Sequence, residues 1–275
     1  MIKSPLNYTG GKFKLLGQIL PLLTPCYTFW DCFCGGLNVG INANAERVVA
    51  IDNQCQVIEL FNFWRNQPLE TTLDLCEAIR TKYQLSKTNK AGFLTLRKDY
   101  NDAPDPGLFY MLVTNAFNCQ IRFARGKFNM PFGKDRHDLN PTLRLRLIEF
   151  IKALQGREME MRCADFDSID AMPGDLVYCD PPYLIAHAAY NKHNTTGVWD
   201  TEKDLRLMQM LDKLNSRGVR WALSNVLRHE DMENTAMLAW SQQYHVHHLS
   251  VTYRNCSYHK IDRAAFSEEV LITNY

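Results

Sequence analysis

Leu176-Val177-Tyr178-Cys179-Asp180-Pro181-Pro182-Tyr183 joins an apolar run to an acid, two prolines and an aromatic residue. The run is short and continuous, which predicts a buried strand. An acid at the carboxyl end of such a strand stands where open α/β sheets bind their ligands. The prolines cannot continue a ladder, and they stiffen the turn. Their missing backbone donors leave carbonyl oxygens free to accept. Tyr183 offers a flat face. Two acceptors and a platform suit a planar amine. A strand-ending turn with a helix cap explains the tetrapeptide alone equally well, so the rest of the chain decides.

Upstream, Tyr27-Thr28-Phe29-Trp30 predicts an aromatic-rich strand. Cys34-Gly35-Gly36 breaks it, residues 37–45 read as helix, and Val48-Val49-Ala50-Ile51 is a second strand ending at Asp52. Residues 57–65 return to helix, which completes a βαβ unit. The next hundred residues differ. Residues 73–83, 92–100, 108–117 and 143–154 read as helices, and 118–134 as a short basic, aromatic hairpin with Gly126 at its turn. Alternation then resumes. Strands are predicted over 159–163, leading to Asp165, over 176–179, and over 219–223, ending at Ser224-Asn225; 204–214 reads as helix, and 246–253 and 270–273 as late strands. The expected fold is α/β, with a sheet domain of residues 1–56 and 157–275 interrupted by a mostly helical insert, 57–156.

A chain of 275 residues buries one large core, or one core plus an inserted domain. Its 46% hydrophobic and 22% charged content is ordinary for a globular protein. No apolar stretch approaches the ~20 residues of a membrane span. Met1 to Pro5 lacks the apolar core of a signal peptide, so a cytoplasmic location is expected. The nine cysteines are odd in number and scattered through apolar segments (Cys55, Cys119, Cys163, Cys179), which predicts reduced thiols. Cys32-Phe33-Cys34 has a poor zinc spacing, and His245, His247 and His248 read as a strand carrying histidines. No metal is expected. The net charge of +1 hides an uneven distribution: Arg122, Arg125, Lys127, Lys134 and Arg136 cluster, with Asp135 as the one acid among them.

Four further segments carry chemistry. Tyr8, Gly10, Gly11 and Lys12 enter a helix; the glycines allow close backbone approach, and Lys12 is able to meet a carboxylate. Asp31, Phe33, Gly35 and Gly36 form a glycine turn after the first strand, the cofactor crevice of a doubly wound sheet. The dinucleotide pattern Gly-x-Gly-x-x-Gly is absent, and Asp31 would repel a pyrophosphate. Asp52 is placed to accept from ribose hydroxyls. Asp165 and Phe166 offer an acceptor for an adenine amine and a ring for its face. Each segment also has an ordinary reading as a cap, a turn or a core aromatic. Together, however, Asp31, Asp52, Asp165 and Asp180 all end predicted strands. Acids along one rim with no phosphate cradle fit a nucleoside cofactor without phosphates, such as S-adenosylmethionine.

From Asn7 to Tyr275 the chain resembles the Dam-type (D12 class, alpha group) DNA adenine-N6 methyltransferases. Asn7 to Lys12 looks like the family's amino-terminal Lys-Trp-x-Gly-Gly-Lys, and Asp31 to Gly36 like its Glu/Asp-Pro-Phe-x-Gly-Gly. Arg125 to Gly133 matches its Arg-Gly-x-Phe-Asn-x-Pro-Phe-Gly segment closely, and Asp180 to Tyr183 its Asp-Pro-Pro-Tyr. Tyr8 stands where a tryptophan is usual, Cys32 replaces a proline, and Leu37 stands where a further small residue is common.

The resemblance implies a Rossmann-like methyltransferase sheet with an inserted DNA-recognition domain that carries a basic β-hairpin. It implies S-adenosylmethionine as cofactor, bound by Tyr8, Gly10, Gly11, Lys12, Asp31, Phe33, Gly35, Gly36, Asp52, Asp165, Phe166 and Asp180. Asp180, Pro181, Pro182 and Tyr183 would be catalytic, acting on an adenine flipped from duplex DNA. Arg122 resembles a base-reading arginine. Arg125, Lys127, Asn129, Lys134, Arg136 and Tyr190 are the other expected DNA contacts, and 186–199 is expected to order over DNA. GATC is the site the resemblance brings. A monomer is expected, from a bacterium or a phage, with a cognate restriction endonuclease left open as a partner. A cytosine-N4 methyltransferase, a non-catalytic DNA-binding regulator of the same fold and, third, a nicotinamide dehydrogenase remain as alternatives.

Overall fold

The computed structural model describes residues 1–135, 139–185, 199–250 and 267–275. Arg136, Tyr190 and most of 186–199 lie outside the described residues. The described chain is mixed α/β and divides into two compact units. One comprises Met1–Phe13, Cys34–Asn42 and Val48–Ala164; the other comprises Lys14–Phe33, Ala43–Arg47 and Asp165–Tyr275. In chain order the strands are β1 (Cys26–Asp31), β2 (Ala45–Asp52), β3 (Phe123–Ala124), β4 (Lys127–Phe128), β5 (Glu158–Cys163), β6 (Leu176–Cys179), β7 (Arg220–His229), β8 (Met232–Glu233), β9 (His245–His248) and β10 (Ser267–Thr273). The α-helices are α1 (Leu16–Ile19), α2 (Cys55–Asn66), α3 (Leu69–Lys82), α4 (Lys90–Asp102), α5 (Pro106–Asn115), α6 (Pro141–Gln155), α7 (Thr201–Ser216) and α8 (Thr235–Ser241).

The unit that holds residues 165–275 orders its strands β1-β6-β7-β10-β9. β6 runs parallel to both β1 and β7, with Tyr178 opposite Asp31 on one side and Ala222 on the other. All four residues of β6 are buried, as a strand flanked on both sides requires. Parallel strands need a crossover, and α7 lies between β6 and β7 in sequence. Its buried Leu207, Met208, Leu211 and Leu214 recur at helical spacing, and the Asp200 side chain caps its first turn through the Lys203 amide. β10 pairs antiparallel with β7 and β9.

In the other unit β5 neighbours β2, and helices α2 to α6 pack around Phe61, Trp64, Tyr110 and Phe150, with ring centroids 5.0–6.0 Å apart. Asn89, Asp105 and Asn140 cap α4, α5 and α6, and Pro106 and Pro141 stand just inside the caps. The β3–β4 hairpin turns on Arg125 (φ 51°) and Gly126 (φ 74°), the two positive φ values of a tight type I′ turn.

Three expectations change. Residues 37–44 hold turns and one 3-10 turn, Gly40–Asn42, with no α-helix, and Ala45 opens β2. Leu37 is left-handed (φ 58°), and the Asn38 and Asn42 side chains bond the backbone of Ser4 and Ile2 at 3.1 and 2.7 Å, in competition with helical bonding. Ser224-Asn225 does not end β7; the strand continues to His229 because β10 continues to pair with it. Cys55 and Cys163 are joined as a disulfide, with Cα atoms 5.0 Å apart, where thiols are predicted. Cys163 closes β5 and Cys55 follows β2, so neighbouring strands bring them to one end.

Candidate functional site

The glycine turn and the end of β2 come together in the first unit. Asp52, the last residue of β2, is buried. Its Oδ2 accepts from the Gly35 amide and its Oδ1 from the Gln54 amide, both at 2.8 Å. Burial raises its pKa, and backbone donors from Gln54, Gly35 and Asn53 pull it back only in part. A carboxylate oxygen accepts twice, so Asp52 keeps lone pairs for a diol. Tyr8 lies against the same turn. A Cβ on Gly35, which has φ 46°, would sit 2.8 Å from the Tyr8 ring, so both conformation and space require glycine there. Burial, then the Asp52 charge, pushes the Tyr8 hydroxyl pKa up. Gly10 is left-handed (φ 78°), and the Lys12 ammonium donates to the Gly10 carbonyl at 3.0 Å. Lys12 is buried.

The second unit gathers the other acids. Asp31 ends β1 opposite Tyr178, two residues before Asp180, so Asp31 and Asp180 share one end of that sheet. Phe33 and Phe166 stack with centroids 5.2 Å apart. They are in contact, which leaves no space for a third planar group between the rings. Trp199 meets Phe33 edge-on at 5.4 Å. Asp165 accepts from the Phe166 amide at 2.8 Å and pairs with Arg206, whose guanidinium lies 4.4 Å from the Phe166 ring centroid. Trp199 and Arg206 carry no motif; their only signal in the sequence is position beside a polar segment and on the first turns of α7.

At the end of β6, the Tyr183 hydroxyl donates to Asp180 Oδ1 at 3.0 Å, with Glu269 Oε1 at 3.3 Å from the same oxygen. Burial and the two carboxylates raise the Tyr183 pKa well above its ordinary value. Below them, Tyr178 and Ser224 share a 2.8 Å hydroxyl contact. Pro181 is buried and Pro182 exposed. Glu269 is a buried acid that the sequence reading leaves outside the final strand.

The hairpin belongs to the first unit. Arg122 Nε donates to Asn129 Oδ1 at 2.7 Å, and a terminal nitrogen donates to the Asn129 carbonyl at 3.1 Å. Arg122, Arg125, Lys127 and Lys134 are exposed. The scaffold beneath is tied down by side-chain hydrogen bonds. Asn101 on α4 makes two bonds to the Phe128 backbone, at 2.8 and 3.1 Å, and Arg97 bonds the Met130 carbonyl at 3.0 Å. Phe123 and Phe128 close an aromatic cluster with Tyr100 and Phe109.

Among the described residues no helix is long and apolar enough to cross a membrane. The chain is 43% identical over 280 residues to the type II methyltransferase M.FokI of Planomicrobium okeanokoites and 38% identical over 282 residues to the modification methylase StsI of Streptococcus sanguinis; each alignment covers 100% of this chain and 43% of the relative. The chain thus spans less than half the length of these curated relatives. A DNA adenine methylase of Salmonella typhi is 27% identical over 228 residues, covering 80% of this chain and 79% of that protein. Residues 8–255 match the family described as D12 class N6 adenine-specific DNA methyltransferase. The chain belongs to that family.

Proposed function

We propose that this chain methylates the N6 amine of an adenine flipped out of duplex DNA, with S-adenosylmethionine as methyl donor, on a Rossmann-like methyltransferase sheet. The observation that carries the reading is the Asp180-Pro181-Pro182-Tyr183 turn at the end of β6, in a chain of the D12 class. The cofactor supplies an electrophilic methyl group on a sulfonium sulfur. The Asp52 carboxylate takes the ribose diol, the Phe33–Phe166 pair takes the purine, and Asp165 takes its amine. Tyr8, Gly10, Gly11, Lys12, Asp31, Gly35 and Gly36 shape the remainder, with Lys12 toward the carboxylate and Asp31 toward the cationic end.

An adenine amine is a poor nucleophile because its lone pair is delocalised into the ring. Asp180 and the Pro181 carbonyl accept its two N–H bonds. That bonding favours a more tetrahedral nitrogen and stabilises the positive charge that develops on it. The proton lost after transfer leaves along the Asp180 bond. Pro182 stiffens the turn, and the Tyr183 ring offsets part of the unstacking cost. Holding the amine against the bound methyl donor would then supply most of the rate.

Residues 57–156 act as the target-recognition insert. Arg122 reads guanine, and Arg125, Lys127, Asn129 and Lys134, with Arg136 and Tyr190, contact or support the backbone. A monomeric working state and a location with bacterial or phage DNA are part of the same reading. The type II and modification names of the relatives support a role beside a restriction endonuclease.

The test is to incubate the purified protein with S-adenosylmethionine and unmethylated genomic DNA, then measure nucleosides by mass spectrometry. N6-methyldeoxyadenosine is expected, with sequencing to map the site and to decide whether it is GATC. N4-methyldeoxycytidine would overturn the base assignment. Cofactor binding with neither product would favour the non-catalytic DNA-binding reading.

A further inference from the structure

Two buried or half-buried carboxylates stand around one proton at the end of β6. The Tyr183 hydroxyl is 3.0 Å from Asp180 Oδ1 and 3.3 Å from Glu269 Oε1. A hydroxyl donates once, so it serves one acid at a time. Strand register explains how Glu269 comes to be there. Tyr178 faces Ala222 on β7, and Val226, four residues on, faces Glu269 on β10. With alternation along a strand, Tyr178, Ser224 and Glu269 share one face. The register shifts between Glu268 and Glu269, an irregularity of the kind that re-aims side chains. Glu268 pairs with Arg228 at 2.7 Å, while Glu269, 5% exposed, turns to Tyr183.

In this arrangement Asp180 is capped by its own motif. A hydrogen bond from Tyr183 occupies a lone pair on Oδ1 and draws electron density from the carboxylate, which weakens it as an acceptor for an amine. We propose that Glu269 is a positioning residue: it takes over the Tyr183 hydroxyl when the target amine arrives, and so restores the full acceptor strength of the Asp180 carboxylate toward that amine. The inference rests on the reading of Asp180 as the amine's acceptor.

The test is a double-mutant cycle on the whole chain with single-turnover kinetics. Tyr183→Phe keeps the ring and has no hydroxyl to hand over, so its own rate is the reference for the second background. Glu269→Ala in the native background lowers the methyl-transfer rate about tenfold or more, with DNA KM changed much less. Glu269→Gln, whose amide oxygen still accepts, recovers part of the rate. In the Tyr183→Phe background Glu269→Ala has no further effect. An equal loss in both backgrounds would overturn the proposal and make Glu269 a structural acid only. If Glu269→Ala unfolds, Glu269→Gln is run in both backgrounds and read the same way. Failure of the underlying reading shows separately, as activity retained by Asp180→Ala.

Discussion

Arg122 and Asn129 close the base of the β3–β4 hairpin on each other. The guanidinium makes two bonds to Asn129, at 2.7 and 3.1 Å, and the Asn129 amide returns one to the Arg122 carbonyl at 3.0 Å. The partner is neutral, so the arginine keeps its charge undiminished. Two of its five N–H donors are used, which leaves enough for a two-pronged contact to guanine. On the proposed reading, Asn129 holds the guanidinium before DNA arrives, which would lower the ordering cost at binding.

Arg122→Ala is expected to lower discrimination between the cognate duplex and single-base variants by about 1–3 kcal/mol, and to weaken nonspecific binding much less. Asn129→Ala is expected to lower discrimination by a smaller amount in the same direction. Single-turnover methylation of a panel of duplexes measures both. Equal losses on every duplex, with a shallower salt dependence, would assign Arg122 to phosphate contact.

Asp180→Ala is expected to abolish methylation while the folded chain still unfolds cooperatively on heating. Asp180 lies just beyond β6 and is half-buried, outside the apolar core that holds the sheet. Methylation at the native rate by a folded Asp180→Ala protein would sink the proposed chemistry.

The strands that carry the acids were legible because short apolar runs ending in Asp leave few alternatives. β1, β2, β5 and β6 lie over the runs read as strands. The hairpin was legible because Gly126 marks a two-residue turn between aromatic residues. Residues 37–45 misled, since their helical spacing says nothing about Asn38 and Asn42 tying down the amino terminus. Glu269 was missed for a related reason. An acid at the mouth of an apolar strand reads as an exposed end, and only the register across β7 turns it toward Tyr183. The Cys55–Cys163 pairing depends on strand adjacency, which no local pattern carries.

Gly35→Ala is expected to destabilise the fold by about 1–3 kcal/mol, because a methyl group must enter a left-handed position and displace the Tyr8 ring. Tyr8→Ala in the same chain should recover the steric part and leave the conformational part. Thermal or urea unfolding of the single and double variants measures the difference; additive losses would show that the ring is not the obstacle.

If Asp52 holds the ribose as proposed, it links cofactor binding to pH. Its burial raises the carboxyl pKa above the ordinary range, near 3.9 for a free aspartate. Only the charged form offers both oxygens fully as acceptors, so affinity for S-adenosylmethionine should fall as pH falls through the raised pKa, earlier than an exposed aspartate would dictate. Stability of the cofactor-free protein responds with the opposite sign. The folded state holds the proton more tightly than the unfolded chain, so Asp52 costs stability progressively as pH rises from the unfolded to the folded pKa, and that cost is absent below both. Asp52→Asn removes the charge at every pH. It should bind cofactor weakly, with this part of the pH dependence gone, and lose this part of the stability profile. Calorimetric titration of cofactor across the acid range, beside urea unfolding at the same pH values, reads both responses. If native affinity were flat through that range, the ribose role of Asp52 would fail; if affinity and stability fell together at low pH, other carboxylates would be governing the transition.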